Sequence, residues 1–226
     1  MKLTPKSLKR IYNQYSRMIA DRHSKFTSIF EDKQYSVLVC HSSGCSSNCS
    51  HEIEKEFEKQ VKAHKLKNVT IQPVGCFGLC QAGPIAVIYP DGALYYQITK
   101  DEVKQIVEHH LMKNEISKDL AKKTMFYEGK FVPYASTAFV QLQKRIALRN
   151  ASITNPESLE EYIGSKGYFA LAKALKMKQA AVIEEIKKSQ LRGRGGAGFS
   201  TGIKWETAYK TDSDIKYVIA NGDEGD

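Results

Sequence analysis

Two short cysteine-containing segments constrain the fold of this chain of 226 residues more than any other feature. The first pair, Cys40 and Cys45, is spaced C-x4-C, and the second pair, Cys76 and Cys80, is spaced C-x3-C. Each pair follows an apolar run whose composition is typical of a buried strand. Two loops at the carboxyl ends of neighbouring strands can converge on one site. The sequence therefore predicts a centre built from four cysteine sulfurs.

The hydrophobic pattern around these loops predicts a small α/β domain. The predicted elements are a basic helix at 4–24, strands at 35–40, 69–74, 85–90 and 93–99, and helices at 52–66 and 101–111. The first strand–helix–strand unit predicts a parallel crossover, and Asp91-Gly92 predicts a tight turn between the last two strands. We therefore expect a thioredoxin-like α/β fold, in which residues 41–50 form a loop of small residues.

Four thiolates at such a site suit a [2Fe–2S] core, which leaves a net charge of roughly −2 in the oxidised state. A buried anion of this kind needs backbone N–H donors, and Gly44, Gly75, Gly78 and Gly83 allow the backbone to approach the sulfurs. Structural zinc is the alternative, because zinc also accepts four thiolates. A thioredoxin-type dithiol needs a C-x-x-C pair, which the sequence lacks.

Two further residues beside the first loop have no place in a four-cysteine site. Cys49 is expected to be an unligated thiol. His41 would suit a Rieske-like variant, but the sequence has no second C-x-H pair, so His41 is expected to be a surface residue.

The cysteine pattern closely resembles that of the thioredoxin-like [2Fe–2S] ferredoxins. These occur as the small flavoprotein-fragment subunit of respiratory complex I and as an N-terminal domain of larger subunits. The resemblance implies that Cys40, Cys45, Cys76 and Cys80 ligate the cluster. The spacing departs from that of plant-type ferredoxins, so their fold is not implied.

A glycine-rich loop, RGRGGAGFSTG at 192–202, is the main motif of the carboxyl-terminal part. Its GRGGAG matches G-x-G-x-x-G, but it follows a predicted helix at 180–191, whereas a Rossmann loop follows a strand. The loop offers backbone without side chains beside the cations Arg194 and Lys204. This combination suits a planar anionic cofactor such as FMN, and a flexible surface linker is the alternative.

Residues 145–226 resemble the flavin-bearing, NADH-binding subunit of complex I and its relatives in NAD(P)-linked and electron-bifurcating iron-only hydrogenases. The segments that carry the resemblance are RIALRN, NPESLEEYI, LRGRGGAGF, TGIKW and NGDEGD. The resemblance implies flavin contacts at Gly193, Arg194, Gly195, Gly196, Lys204, Asn221, Asp223 and Glu224, and nucleotide contacts at Phe199 and Asp226. The fused N-terminal ferredoxin domain favours the hydrogenase-type relatives.

Residues 215–220 are predicted to form a strand that is followed directly by the NGDEGD terminus. Because a domain rarely ends one step after a core strand, we expect a fragment or a unit that another polypeptide completes. The expected organisation is an N-terminal helical segment at 1–34, the ferredoxin domain at 35–115, a linker at 116–150 and a partial FMN/NADH-binding domain at 151–226. The family's [4Fe–4S] motif is expected only in a longer chain.

The net charge of +9 arises largely from the basic N-terminal segment and from helices in which Lys and Glu alternate. No recognised nucleic-acid motif accompanies the charge, so nucleic-acid binding is not expected. No apolar run approaches the ~20 residues of a membrane span, and no secretory signal is recognised. We therefore expect a cytoplasmic protein, in which clustered cysteines bind metal more often than they form disulfides.

These patterns predict an electron-transfer subunit, or its N-terminal part, of an NAD(H)-dependent and hydrogenase-linked oxidoreductase complex. Its expected partners are a catalytic hydrogenase or dehydrogenase subunit, a small [2Fe–2S] subunit and NAD(H). No catalytic side chain is assigned, because the cofactors carry the chemistry, and the isolated chain is expected to be inactive with NADH. The alternatives are a zinc-stabilised adaptor and a relay ferredoxin domain of a formate dehydrogenase or hydrogenase.

Overall fold

The computed structural model describes residues 3–23, 34–116, 120, 123, 126–127 and 130–220. The chain divides into two compact units, Met1–Gly167 and Tyr168–Asp226. Among the described helices, none combines the length and the apolar character that a bilayer span requires.

The first unit contains a four-stranded mixed sheet with the order β2-β1-β3-β4. Its strands are β1 (Tyr35–Cys40), β2 (Val69–Val74), β3 (Ile85–Tyr89) and β4 (Ala93–Tyr96). β1 pairs in parallel with β2 and antiparallel with β3, and β3 pairs antiparallel with β4. This topology confirms the predicted crossover, hairpin and thioredoxin-like α/β class. β2 lies at the sheet edge, which is where a strand tolerates Pro73.

Helices surround this sheet and precede and follow it in the chain. They are α1 (Pro5–His23), α2 (Ser43–Ser47), α3 (Ser50–Ala63), α4 (Lys100–Gln105), α5 (Ala138–Gln141) and α6 (Leu159–Gly164). A π-helical segment, Ile106–Leu111, continues α4, and two-residue strands β5 (Phe126–Tyr127) and β6 (Lys130–Phe131) form a small hairpin. The predicted linker therefore contains short elements of its own.

The sheet has two apolar faces because alternate residues of β1 point to opposite sides. Val37 and Val39 pack with Phe57 of α3 and with buried side chains of α4 and of the π-helical segment that continues it. Leu38 and Cys40 pack on the other face with buried side chains of β3 and of the following loops. Cys40 thus ends a strand whose other residues are fixed by the core.

Two predicted elements differ in the structure. The segment 41–50 was expected to be a loop, but Ser43–Ser47 form a helical turn and Ser50 already begins α3. The predicted helix at 101–111 changes to π-helical hydrogen bonding after Gln105. In that register His110 is buried and bridges Tyr95 Oη at 2.9 Å and Asp91 Oδ2 at 3.0 Å. The π-helical segment thus places His110 in a buried polar network.

α1 is held against the rest of the first unit by a buried arginine. Arg22 Nη1 donates to Glu161 Oε2 and to the Ile153 carbonyl, both at 2.9 Å, and Arg22 Nη2 donates to Gln72 of β2. The side chains of Arg22 and Glu161 are 2% and 1% exposed. Gly164 of α6 allows close contact with α1, since a Cβ there would lie 2.8 Å from Tyr15 Cβ.

Arg22→Met is expected to lower the free energy of unfolding by about 3–5 kcal/mol, because Glu161 keeps a buried charge without its partner. Urea denaturation of the full chain measures the change. The control is Lys59→Met, which removes an exposed cation paired with Glu56 and should leave the midpoint nearly unchanged. Equal midpoints for the two variants would show that the buried pair does not hold α1.

The second unit is helical in its described part. It contains α7 (Phe169–Ala174), α8 (Gln179–Lys188) and α9 (Thr201–Lys210). α8 confirms the predicted helix at 180–191, whereas α9 was not predicted. The predicted strand at 215–220 is wrong for this structure, since these residues lie in no helix or strand and are exposed. A strand needs a hydrogen-bonding neighbour, and none pairs with this segment within the described residues.

Candidate metal centre

The parallel pairing of β1 and β2 brings the two cysteine loops together. Cys40 is the last residue of β1 and lies opposite Val74, the last residue of β2. Cys76 follows two positions later, and its Sγ lies 3.9 Å from Cys80 Sγ. Cys40 and Cys45, which belong to the first loop, lie close enough to shift each other's pKa. All five cysteines lie in the described part of the chain and are free thiols.

Contacts between the loops join the two pairs into one centre. A Cβ at Gly44 would lie 3.6 Å from Cys80 Sγ, and a Cβ at Gly83 would lie 3.1 Å from Cys45 Sγ. Each of these glycines therefore leaves room beside a sulfur of the other segment. Gly75 has a different role, because a Cβ there would lie 2.4 Å from the Ala151 carbonyl oxygen.

Backbone N–H groups point at the sulfurs. Gly78 N donates to Cys76 Sγ at 3.2 Å, with a φ of +85° that favours glycine. The amides of Ser42 and Phe77 donate to Cys40, and the Ile85 amide donates to Cys45. Of the four glycines predicted to admit donors, only Gly78 is itself a donor in these contacts.

The loop between Cys76 and Cys80 is anchored at Phe77. Its side chain is fully buried and meets the Tyr134 ring edge-on at a centroid distance of 5.4 Å. Its carbonyl accepts hydrogen bonds from Tyr134 Oη at 2.9 Å and from Arg145 Nη2 at 3.1 Å. Residues from the segment predicted as a linker thus hold a cysteine loop in place.

A neighbouring thiol shifts the pKa of Cys40, Cys45 and Cys80. A hydrogen bond with Cys45 lowers the pKa of Cys40 to about 6, while the same contact and burial raise the pKa of Cys45. Cys80 has a raised pKa because it shares a hydrogen bond with Cys76. Protein groups alone therefore do not favour four thiolates together. A metal centre held by these sulfurs would supply the positive charge that favours their thiolate forms.

The centre is buried on one side and open on the other. Cys40 and Cys45 are buried, Cys76 is half-buried and Cys80 is exposed. A group held by the four sulfurs would be shielded by the sheet and would approach solvent at the second loop.

Gly83→Val is expected to lower the iron and sulfide content of the reconstituted chain, because the added carbons would press on Cys45 Sγ. Such overpacking costs about 1–3 kcal/mol. Gly195→Val is the control, because a Cβ at Gly195 meets nothing within 4 Å. Elemental analysis makes the comparison, and equal cluster content in the two variants would contradict a role for Gly83 beside the sulfur.

The glycine loop forms a separate candidate site in the second unit. It is closed at its base by a bridge between Arg192 and Ser200 and by the bond from Gly193 N to the Phe199 carbonyl at 2.8 Å. Ser200 caps α9 by accepting from Ile203 N. Gly195 and Gly196 at the loop tip are exposed, so their backbone is accessible to a ligand.

Cations and aromatic side chains flank this loop. Lys204 Nζ lies 5.9 Å from the centroid of the Phe199 ring and would lie 3.2 Å from a Cβ at Gly193. Arg194 is exposed at the loop tip, and Trp205 is also about half exposed. These groups fit the phosphate and ring system of a flavin. Asn221, Asp223, Glu224 and Asp226, which the resemblance assigns to flavin or nucleotide, lie outside the described residues.

One cluster of histidine and glutamate side chains near the cysteines was not predicted from the sequence. His41 was expected to be a surface residue, but its side chain is only 14% exposed because it packs against Glu54 of α3. His51 lies beside it, with the two ring centroids 4.1 Å apart. The spacing of His51 and Glu54 at i and i+3 on a helix was the available signal.

A mixed four-stranded sheet with two cysteine pairs at the carboxyl ends of its two parallel strands defines a thioredoxin-like α/β protein with a candidate metal centre. The chain belongs to the thioredoxin-like [2Fe–2S] ferredoxin family, whose pattern matches residues 18–111. Residues 186–226 match the Nuo51 FMN-binding domain. Both resemblances drawn from the sequence are thereby confirmed.

Two curated proteins and one solved structure are similar to parts of this chain. The chain is 40% identical over 77 residues to a [2Fe–2S] ferredoxin of Clostridium pasteurianum, covering 34% of this chain and 76% of that protein. It is 51% identical over 92 residues to the NADP-reducing hydrogenase subunit HndC of Solidesulfovibrio fructosivorans, covering 41% of this chain and 19% of HndC. A thioredoxin-like [2Fe–2S] ferredoxin structure from Aquifex aeolicus gives a TM-score of 0.37 at 28% identity, covering 44% of this chain and 99% of that one.

Proposed function

We propose that this chain is an electron-carrying part of an NAD(H)-dependent, hydrogenase-type oxidoreductase. The observation that carries the proposal is the convergence of four thiols, lined by backbone N–H donors, at one end of the sheet. The relatives named above include a ferredoxin and a hydrogenase subunit. Because the chain spans 19% of HndC, NADH oxidation is proposed for a complete assembly rather than for this chain alone. Electron bifurcation is one form that the proposed reaction of such an assembly would take.

The ligands proposed for the [2Fe–2S] cluster are Cys40, Cys45, Cys76 and Cys80. When bound, such a cluster accepts and donates one electron at a potential that hydrogen bonds to its sulfurs adjust. The amides of Ser42, Phe77, Ile85 and Gly78 are placed to stabilise added negative charge. Structural zinc held by four thiolates would use similar donors, so bound iron and acid-labile sulfide are what distinguish a cluster from zinc.

Electron exchange is proposed to occur on the side of Cys76 and Cys80, which is the open side of the centre. Phe139 and Arg145 flank Gly78 in this loop, and Phe139 is 39% exposed. An apolar ring and a cation beside an exposed sulfur suit contact with another redox subunit. The proposed partners are a catalytic hydrogenase or dehydrogenase subunit and a small [2Fe–2S] subunit. A cytoplasmic location is also proposed, which the free thiols support.

The glycine loop is proposed to contribute to an FMN site through Gly193, Arg194, Gly195, Gly196 and Lys204. The open backbone allows close approach, and the two cations suit the phosphate. Asn221, Asp223 and Glu224 are proposed to complete the flavin contacts, with Phe199 and Asp226 near the nicotinamide nucleotide. The family match over residues 186–226 supports this assignment.

Single cysteine-to-serine substitutions test the cluster assignment. Cys40→Ser, Cys45→Ser, Cys76→Ser and Cys80→Ser should each abolish or strongly reduce the [2Fe–2S] content after anaerobic reconstitution. Cys49→Ser is the matched control, because Cys49 is exposed at the start of α3. It should retain about two irons and two sulfides per chain. Loss of the cluster in Cys49→Ser, or bound zinc without sulfide in the parent chain, would exclude the proposed ligand set.

Lys204→Ala should weaken FMN binding about ten-fold or more, since a hydrogen bond to a charged group contributes about 1.5–3 kcal/mol. Fluorescence titration with FMN measures the affinity of the full chain. Lys188→Ala removes an exposed cation of α8 and should leave the affinity unchanged. Equal effects of the two substitutions would contradict a flavin site at this loop and favour a relay ferredoxin.

A further inference from the structure

We propose that His41, His51 and Glu54 form a second, sulfur-free binding site for a divalent transition metal ion of the zinc class. The three side chains offer one ligand atom each, and these atoms all lie within 4.8 Å of one another. They come from two elements, because His41 follows β1 directly and the other two lie in the first turns of α3. The site is distinct from the four-cysteine centre, although His41 is the neighbour of Cys40.

The contact between His41 and Glu54 has the geometry of two ligands rather than of a hydrogen bond. His41 Nε2 and Glu54 Oε2 are 3.1 Å apart, yet Nε2 is buried and has no hydrogen-bond partner. The two atoms are therefore close without the alignment that a hydrogen bond needs. Ligands at 2.0–2.1 Å from a tetrahedral zinc ion are separated by about 3.3 Å. The observed distance is close to this value.

Burial and charge also favour a cation. The side chains of His41 and Glu54 are 14% and 18% exposed, whereas His51 is exposed and leaves one side open for water. The carboxylates of Glu58 and Glu157 add negative charge near Glu54, and the Lys55 cation acts on the same carboxylate with the opposite sign. A local excess of carboxylates around two imidazoles lowers the energy of a bound divalent cation.

The donor set selects the class of metal. Two imidazoles and one carboxylate suit zinc and similar divalent ions, while thiolates suit iron–sulfur clusters. Three protein ligands leave a fourth position for solvent. A bound ion would link the first turns of α3 to the residue that follows Cys40, and would thereby stabilise the packing of this helix on the sheet.

The test uses the full chain with its cluster loaded, so that the four cysteines are occupied. Calorimetric titration with Zn²⁺ should show one ion bound per chain and a raised melting temperature. Zinc-edge X-ray absorption should give nitrogen and oxygen ligands at about 2.0–2.1 Å without sulfur at about 2.3 Å. Iron and sulfide analysis before and after titration shows whether the cluster stays intact.

His51→Ala and Glu54→Gln should each weaken Zn²⁺ binding at least ten-fold and abolish the rise in melting temperature. His64→Ala is the matched control, since His64 ends the same helix and pairs with Glu108. The proposal is overturned by a sulfur shell around zinc, by absence of binding to the loaded chain, or by equal affinities in His51→Ala and His64→Ala. A chain that cannot be loaded with a cluster contradicts the proposed function instead.

Discussion

The parallel pairing of β1 with β2 is the interaction on which the rest of the centre depends. It aligns Cys40 with Val74, so that the chain leaves both strands at the same end of the sheet. A shift of this pairing by one residue would turn Cys40 to the opposite face. The apolar residues on both sides of β1 oppose such a shift, because each face is buried against a separate group of side chains. Core packing thus determines the position of Cys40, a proposed cluster ligand.

Short-range patterns in the sequence were sufficient to predict the sheet and the placement of the two cysteine loops at one end of it. Short apolar runs identify the strands, Asp91-Gly92 identifies the hairpin, and the position of the cysteine pairs after two of these runs indicates two converging loops. The same patterns do not show how the second loop is held. Tyr134 and Arg145 reach Phe77 from 57 and 68 residues away, and they lie in a segment without a strong hydrophobic period. Contacts between distant positions leave no such local signal.

Two differences between the sequence prediction and the structure involve histidines that are more buried than their sequence context indicates. His41 follows a strand and precedes a run of small residues, so its sequence context suggests exposure, yet α3 covers it with Glu54. His110 is buried by a π-helical register that a regular helical pattern does not predict.

In the second unit, the cap at Ser200 begins a helix that follows the glycine loop directly. The predicted strand at 215–220 had the right composition but has no pairing strand within the described residues.

The most direct test of the central assignment is a combined measurement of iron, acid-labile sulfide and EPR on anaerobically purified chain. About two irons and two sulfides per chain, as a [2Fe–2S] centre requires, with an S = 1/2 signal after dithionite reduction, is the predicted result. Zinc without sulfide, or a chain that gives no EPR signal after reconstitution and reduction, would contradict a redox centre at the four cysteines.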